Sequence, residues 1–307
     1  MAIRRLSLSP AGSKSRPYRG ADRRGIIGIL THPRASRLAA WAVAAILALP
    51  FIGVATLWAA SGLPVGATSV GAADLALIAF LITAVVLLLR WRLVGEAADL
   101  PLATVALTAG LIFVPATHLG GPVPSYAAAL QVTSVMVMLV GCMSALALPE
   151  VWAGLRPTLV VSGSVVGALT IAIPLAFAPV ESGVQLGGDG LVVQSGLEGL
   201  VCAVVGLALL ARGIRSQHVL FVGAGAALLS IAAGAASLSS NALAPLRPWT
   251  ALPSFFLLAG AGSYLVLAAA DLKLAYAAIV RLDLRGRRRW MAAESDLAKV
   301  SSRNGIT

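Results

Sequence analysis

The chain predicts an all-helical, polytopic membrane bundle of eight spans with both termini in the cytoplasm, and three observations carry that prediction. Its 307 residues are 59% hydrophobic and 11% charged, with a mean hydropathy of +0.92, whereas charged residues make up about a quarter of a water-soluble domain. Eight apolar runs of near-spanning length follow one another, and about 20 apolar residues suffice to cross a bilayer. The basic residues then alternate between connections as the positive-inside rule requires.

The runs fall near residues 38–60, 72–89, 100–116, 126–148, 159–177, 190–211, 219–238 and 251–270, the third being the shortest and weakest. Arg90 with Arg92, then Arg156, then Arg212 with Arg215 mark every second connection, and 22 of the 23 basic residues fall on one side, Arg247 being the exception. They therefore read as topology markers. A net charge of +11 points to nucleic acid only when it forms a patch on a soluble domain, so nucleic-acid binding is not expected.

Before the first span, residues 1–37 carry nine basic residues and one acid among Ser, Gly and Pro. That is the composition of a disordered cytoplasmic tail drawn to anionic lipid headgroups. Residues 38–270 make the bundle and 271–307 a cytoplasmic exit helix with a short tail. No connection is long enough to fold alone, so anything met on the outer side is met by the spans and short loops. Cys142 and Cys202 lie inside spans without metal-ligand spacing and read as small apolar residues. Pro50, Pro115 and Pro174 sit in the outer halves of outward-going spans, where proline kinks a helix and predicts a splayed outer mouth. The glycines of the sixth and seventh spans favour close packing and place those spans centrally.

Glu198 is the one carboxylate well inside a predicted span, with Gln194 one turn before it and Cys202 one turn after. At that depth an ionisable group is a functional candidate, here a proton-responsive or ligand-binding one. The alternative is a protonated Glu bonded across the bundle to Gln131 or Thr133. Asp74, His118, Glu181, Asp189 and Asn241 lie near the outer surface, as a polar mouth or as solvated caps, and His32 and His218 read as solvated cytoplasmic histidines. Phosphate-loop, zinc-helix and complete dinucleotide signatures are absent. No catalytic residue, metal site or cofactor is expected.

The last span continues without Gly or Pro from Leu265 to Gly286, which reads as one helix leaving the bilayer. Its candidate coupling residues are Asp271, Tyr276, Ile279, Arg285, Arg287, Arg288, Arg289, Trp290 and Leu297. Tyr276, Asp283, Trp290 and Leu297 at heptad position a place Ile279, Gly286, Ala293 and Val300 at d, an apolar seam over the last two heptads. Such a seam fits a homodimer, and the arginines fit a helix lying on anionic lipid equally well.

The run from Arg285 through Gly286, Arg287, Arg288, Arg289, Trp290, Met291, Ala292, Ala293, Glu294, Ser295 and Asp296 to Leu297 resembles the segment that joins a multi-span N-terminal sensor region to the cytoplasmic part of bacterial sensor histidine kinases. The many Ala, Gly, Leu and Val-rich spans with tiny loops are similar too. In that family a helix with the phosphoacceptor His follows, then ATP-binding motifs. Of His32, His118 and His218 none lies after the segment, so no kinase residue carries over. The resemblance implies a sensory or regulatory module in the bacterial cell membrane, signalling through its last helix to a cytoplasmic partner or domain. The other expectation is a small-solute transporter or permease subunit using Glu198.

Overall fold

The computed structural model describes residues 35–59, 65–119, 124–147, 163, 188–243 and 251–303. The expected N-terminal tail to residue 34, and the expected fifth span apart from residue 163, lie outside them. Every regular element among the described residues is helical: α1 Ala35–Ala59, α2 Val65–Val94, α3 Asp99–Thr108, a π-helical turn Ala109–Phe113, α4 Val114–Leu119, α5 Pro124–Ala147, α6 Gly188–Ser216, α7 Val219–Leu243 and α8 Leu252–Arg303. Among the described residues seven stretches are long and apolar enough to cross a membrane, with α3, the π turn and the start of α4 together forming one of them.

The side chains are arranged as a bilayer demands. In α2 the stripe Ala76, Phe80, Ala84 and Leu87 is buried, while Leu75, Ile78, Ile82, Val85, Leu89 and Leu93 are exposed. Both faces are apolar. What separates them is the alanines, which gather on the inward face beside Phe80 and Leu87, while the outward face carries large aliphatics turned to the position lipid occupies. The buried hydroxyls of Thr83, Ser134 and Ser230 donate to backbone carbonyls three or four residues back in their own helices, as groups without access to water must.

The third span reverses its expected standing. It is the most enclosed of the seven, with 83% of Asp99–Ala116 buried against 28% of Arg37–Thr56, and its hydropathy is the lowest at 1.6. A helix surrounded by protein needs no lipid-facing aliphatic stripe, which is why it looked weak as a span. Pro115 lies just past the π turn. Its missing N–H and the bulk of its ring disturb the bond to the carbonyl four residues back, and the chain passes the site with Val114 N–H donating to Ala109 five residues back. By contrast α1 runs through Pro50 unbroken.

Helices α6 and α7 pack through glycine. A Cβ on Gly225 would lie 2.7 Å from the Gly206 carbonyl oxygen and 2.9 Å from the Leu210 nitrogen, both of them backbone atoms. Gly225→Ala will therefore push two helix backbones apart and destabilise the bundle by about 1–3 kcal/mol. Thermal unfolding in detergent checks this, with Gly71→Ala, whose new Cβ meets nothing within 4 Å, expected to be neutral or slightly stabilising.

Helix α8 packs against α7, α2 and α1. Its buried stripe is Tyr264, Ala268, Asp271, Ala275 and Ala278, a row at helical spacing in which one member is a carboxylate. The Tyr264 hydroxyl donates to the Leu102 carbonyl of α3 at 3.3 Å. Beyond the bundle the helix continues without a break to Arg303.

Candidate functional site: a buried guanidinium at the basic end of the bundle

Two tight turns and one helix face build the site. Helix α2 ends at Val94, and Gly95 follows in the left-handed conformation with φ 69°, its N–H donating to the Trp91 carbonyl at 2.7 Å. That closes the helix and reverses the chain within four residues. Asp99 opens α3 and its side chain is fully buried. An acid in the first turn suits the positive end of the helix dipole.

The second turn joins α6 to α7. His218 N–H donates to Gly213 at 2.8 Å and Gln217 N–H to Ile214 at 3.4 Å. This is the paired bonding of a Schellman cap, with Gln217 at φ 56° in the place glycine usually holds. The Gln217 carboxamide donates to the Ile214 carbonyl at 3.0 Å and helps hold the cap. The consequence is positional: the cap aims His218 out of α6 and toward the first turn.

Arg90 occupies the centre. It continues the buried stripe of α2 one turn beyond Leu87, and only 1% of its side chain is exposed. Each guanidinium nitrogen donates to a different carboxylate: Nη2 to Glu96 Oε2 at 2.7 Å, Nη1 to Asp99 Oδ1 and Nε to Asp271 Oδ2. The planar fork of arginine has the donors for this and a lysine ammonium lacks the geometry. Asp99 and Asp271 are as enclosed as Arg90, at 0% and 3% exposure, whereas Glu96 at 18% and His218 at 19% form the accessible rim. His218 Nε2 lies 2.5 Å from Glu96 Oε1 and its ring packs on Phe221. Glu96 thus bridges the imidazole and the guanidinium.

Electrostatics at the rim follow from that bridge. Burial opposes charge on Glu96, but the His218 hydrogen bond and charge, with Arg90 beside them, outweigh it and hold the carboxyl down at about 2. Burial likewise works against a charged His218, and the Glu96 hydrogen bond and charge overcome it, so the imidazole sits above its ordinary 6.5. Among the described residues His218 Nδ1 and Asp99 Oδ2 are buried without a hydrogen-bond partner.

The arrangement is a charged knot. Its carboxylates converge on a guanidinium that fills the position a cation would take. Mechanically it joins three separated segments, the α2–α3 connection, the α6–α7 connection and α8, at one end of the bundle. That end is the basic one, with Arg92, Arg212, Arg215, Lys273 and Arg281 around it.

The residues singled out from sequence divide accordingly. Asp271 stands in the knot. Tyr276 is exposed and Ile279 half-buried, one and two turns further along α8. Arg285, Arg287, Arg288, Arg289, Trp290 and Leu297 lie along the same unbroken helix, their side chains outside the described set. Glu198 is half-buried on α6 between exposed Leu197 and Leu200, and Gln131 is half-buried on α5. The Gln194 side chain is outside the described set, and the structure brings neither Glu198 nor Gln131 into the knot.

Two expectations are corrected. His218 is not a solvated loop histidine, because the α6 cap turns it onto Glu96. Arg90 is more than a topology marker, because it shares the phase of the inward stripe while Arg92, two residues on, faces out. Comparison with known proteins adds no precedent. No family model, curated protein or solved structure matches the chain.

Proposed function

We propose that this protein is the membrane-embedded sensory or regulatory module of a bacterial signal-transduction protein, a multi-pass protein of the plasma membrane. The basic end of the bundle is cytoplasmic, and α8 carries changes in bundle packing to a cytoplasmic output. One observation supports this reading above the others. The helix that leaves the bundle is 52 residues long and unbroken, and it is held by Asp271 to a guanidinium that the α2–α3 connection also holds through Glu96 and Asp99, with His218 of the α6–α7 connection bound to Glu96. At 1.5 Å per residue it extends roughly 80 Å, against a hydrocarbon core of about 30 Å, so much of it projects as a lever.

In this reading the module has two packings, and the ion knot belongs to one of them. A stimulus that favours the other releases Asp271 and changes the angle or rotation of α8. The arginine run and heptad seam beyond residue 284, similar to sensor kinase linkers, support an output by a homodimeric helix or a cytoplasmic partner. No catalysis by this chain is invoked.

The test uses single cysteines at Trp290, Ala293 and Leu297 in a background lacking Cys142 and Cys202, with the protein in nanodiscs. Symmetric crosslinks with heptad periodicity are expected, and Arg90→Gln is expected to change their relative yields. Absence of crosslinks, with the segment protected only on anionic lipid, would contradict the output reading. The competing reading, a small-solute transporter, takes its support from half-buried Glu198 and the π turn beside Pro115. Solute uptake into vesicles that is lost in Glu198→Gln would favour it.

A further inference from the structure

The knot is closed on its bilayer side and open at one rim, and the rim consists of the pair His218 and Glu96. We propose that this pair is a cytoplasmic proton-reading element: loss of the His218 proton loosens the grip of Arg90 on Asp271 and so frees α8. The proposal names the regulation of the module described above and rests on that reading for its biological meaning.

The geometry gives the proton a defined route to the helix. His218 Nε2 and Glu96 Oε1 are 2.5 Å apart, Glu96 Oε2 accepts from Arg90 Nη2 at 2.7 Å, and Arg90 Nε donates to Asp271. Four groups from other segments face the imidazole through this network: Glu96 in the α2–α3 connection, Arg90 on α2, Asp99 on α3 and Asp271 on α8. Three carboxyl groups surround one guanidinium, and a protonated His218 supplies the second positive charge. When the ring is neutral, Glu96 is left with Arg90 as its one positive partner, in competition with Asp271.

The hydrogen bond itself need not break. With Nε2–H donated to Glu96, the proton that leaves is the one on Nδ1, which is buried and has no hydrogen-bond partner among the described residues. Titration therefore changes the field at Arg90 while the rim contact stays in place. A change of field acts strongly here, because Arg90, Asp99 and Asp271 are out of water and their attraction is little screened.

The direction follows from the shifts at the rim. The folded His218 lies above its ordinary 6.5, so its contribution is fully present below that value and is lost as pH rises through the raised one. Glu96 is held down from 4.5 to about 2, so its contribution is present above 4.5 and is lost only as pH falls toward about 2. Between those limits both members of the rim pair are charged, and on the alkaline side the rim loses the His218 charge.

The experiment measures distances between spin labels at Arg215→Cys on α6 and Leu284→Cys on α8, both exposed positions, in a background lacking Cys142 and Cys202. The full chain in nanodiscs is scanned from about pH 5 to about pH 9, with ring resonances of labelled histidine recorded on the same samples. A single short distance is expected at low pH, giving way to a longer and broader distribution. The ratio of the two populations should change up to tenfold per pH unit, with the midpoint of the His218 resonance and above 6.5. His218→Gln should hold the long distribution at every pH. Should that variant fail to fold, the wild-type scan alone decides.

A His218 resonance that titrates while the distances stay fixed would overturn the proposal, as would a transition with its midpoint below 6.5. The two readings fail separately. Distances that follow pH with unchanged crosslinks at Ala293 would overturn the output reading and leave the proton element standing. Crosslinks that respond to Arg90→Gln, with distances indifferent to pH, would do the reverse.

Discussion

Arg90→Gln will destabilise the bundle by about 3–5 kcal/mol, the loss expected when one partner of a buried ion group is removed and the others remain. The side chain is 1% exposed and each of its nitrogens serves a different acid, so the variant strands Asp99 and Asp271 away from water. Gln is close in size, and its amide can donate at one or two of the vacated positions but supplies no charge. Arg90→Lys keeps the charge and loses the three-way fork, so it will recover only part of the loss. Unfolding in a detergent series, followed by circular dichroism, reads the difference. Stability within about 0.5 kcal/mol of wild type, the range of ordinary surface substitutions, would mean that Arg90 is not enclosed as described.

Asp271→Asn comes next, and its effect differs in kind. Two carboxylates remain on Arg90 after the change, so the loss of stability is smaller, about 1.5–3 kcal/mol, the worth of one hydrogen bond to a charged group. The mechanical loss is larger. Asp271 is the group by which α8 enters the knot, and with it gone the helix is held there by the apolar packing of Ala268, Ala275 and Ala278 alone. Faster hydrogen exchange in α8 beyond residue 271 is therefore expected, with α6 and α7 unchanged. The double variant closes a cycle. Arg90→Gln with Asp271→Asn should cost less than the two single losses added, by about 0.5–3 kcal/mol, because each change removes part of what strands the other. Strict additivity would show that the two side chains do not interact.

Much of the fold could be read from the chain, and the reason is the solvent. A bilayer demands long apolar helices and leaves the sequence little freedom, so helical spans and the basic asymmetry of their connections are visible without coordinates. The span built from α3, the π turn and α4 was the weakest for the opposite reason. Protein surrounds it, so it lacks the aliphatic outer stripe that makes a span easy to see.

The knot was half visible. Asp271 was singled out as the first charge on the exit helix, but its partner was counted with Arg92 as a topology marker. A hydrophobic contrast could not have separated the two, since α2 is apolar on every face. The alanines could have: Ala72, Ala73, Ala76, Ala79 and Ala84 gather on the side of Arg90, and Leu75, Ile78, Ile82, Val85 and Leu89 run along the other side. On α8 the same reading puts Asp271 in a row of alanines, where a carboxylate needs a cationic partner. Glu96 and His218 had no such signal. Their meeting depends on two turns 122 residues apart, one closed by Gly95 and the other by a left-handed Gln217 that sequence does not announce.

The central claim is that Arg90 fixes α8 to the basic end of the bundle, and the most direct measurement is a distance across that junction. Spin labels at Arg92→Cys and Leu284→Cys, both exposed, report on α2 and α8 on either side of it. At neutral pH the otherwise unchanged protein should give one narrow distribution, and Arg90→Gln should shift it to longer distances and broaden it while the helical content is kept. Superimposable distributions in the two proteins would contradict the account, because α8 would then be held by its apolar packing and the ion knot would have no part in where it points.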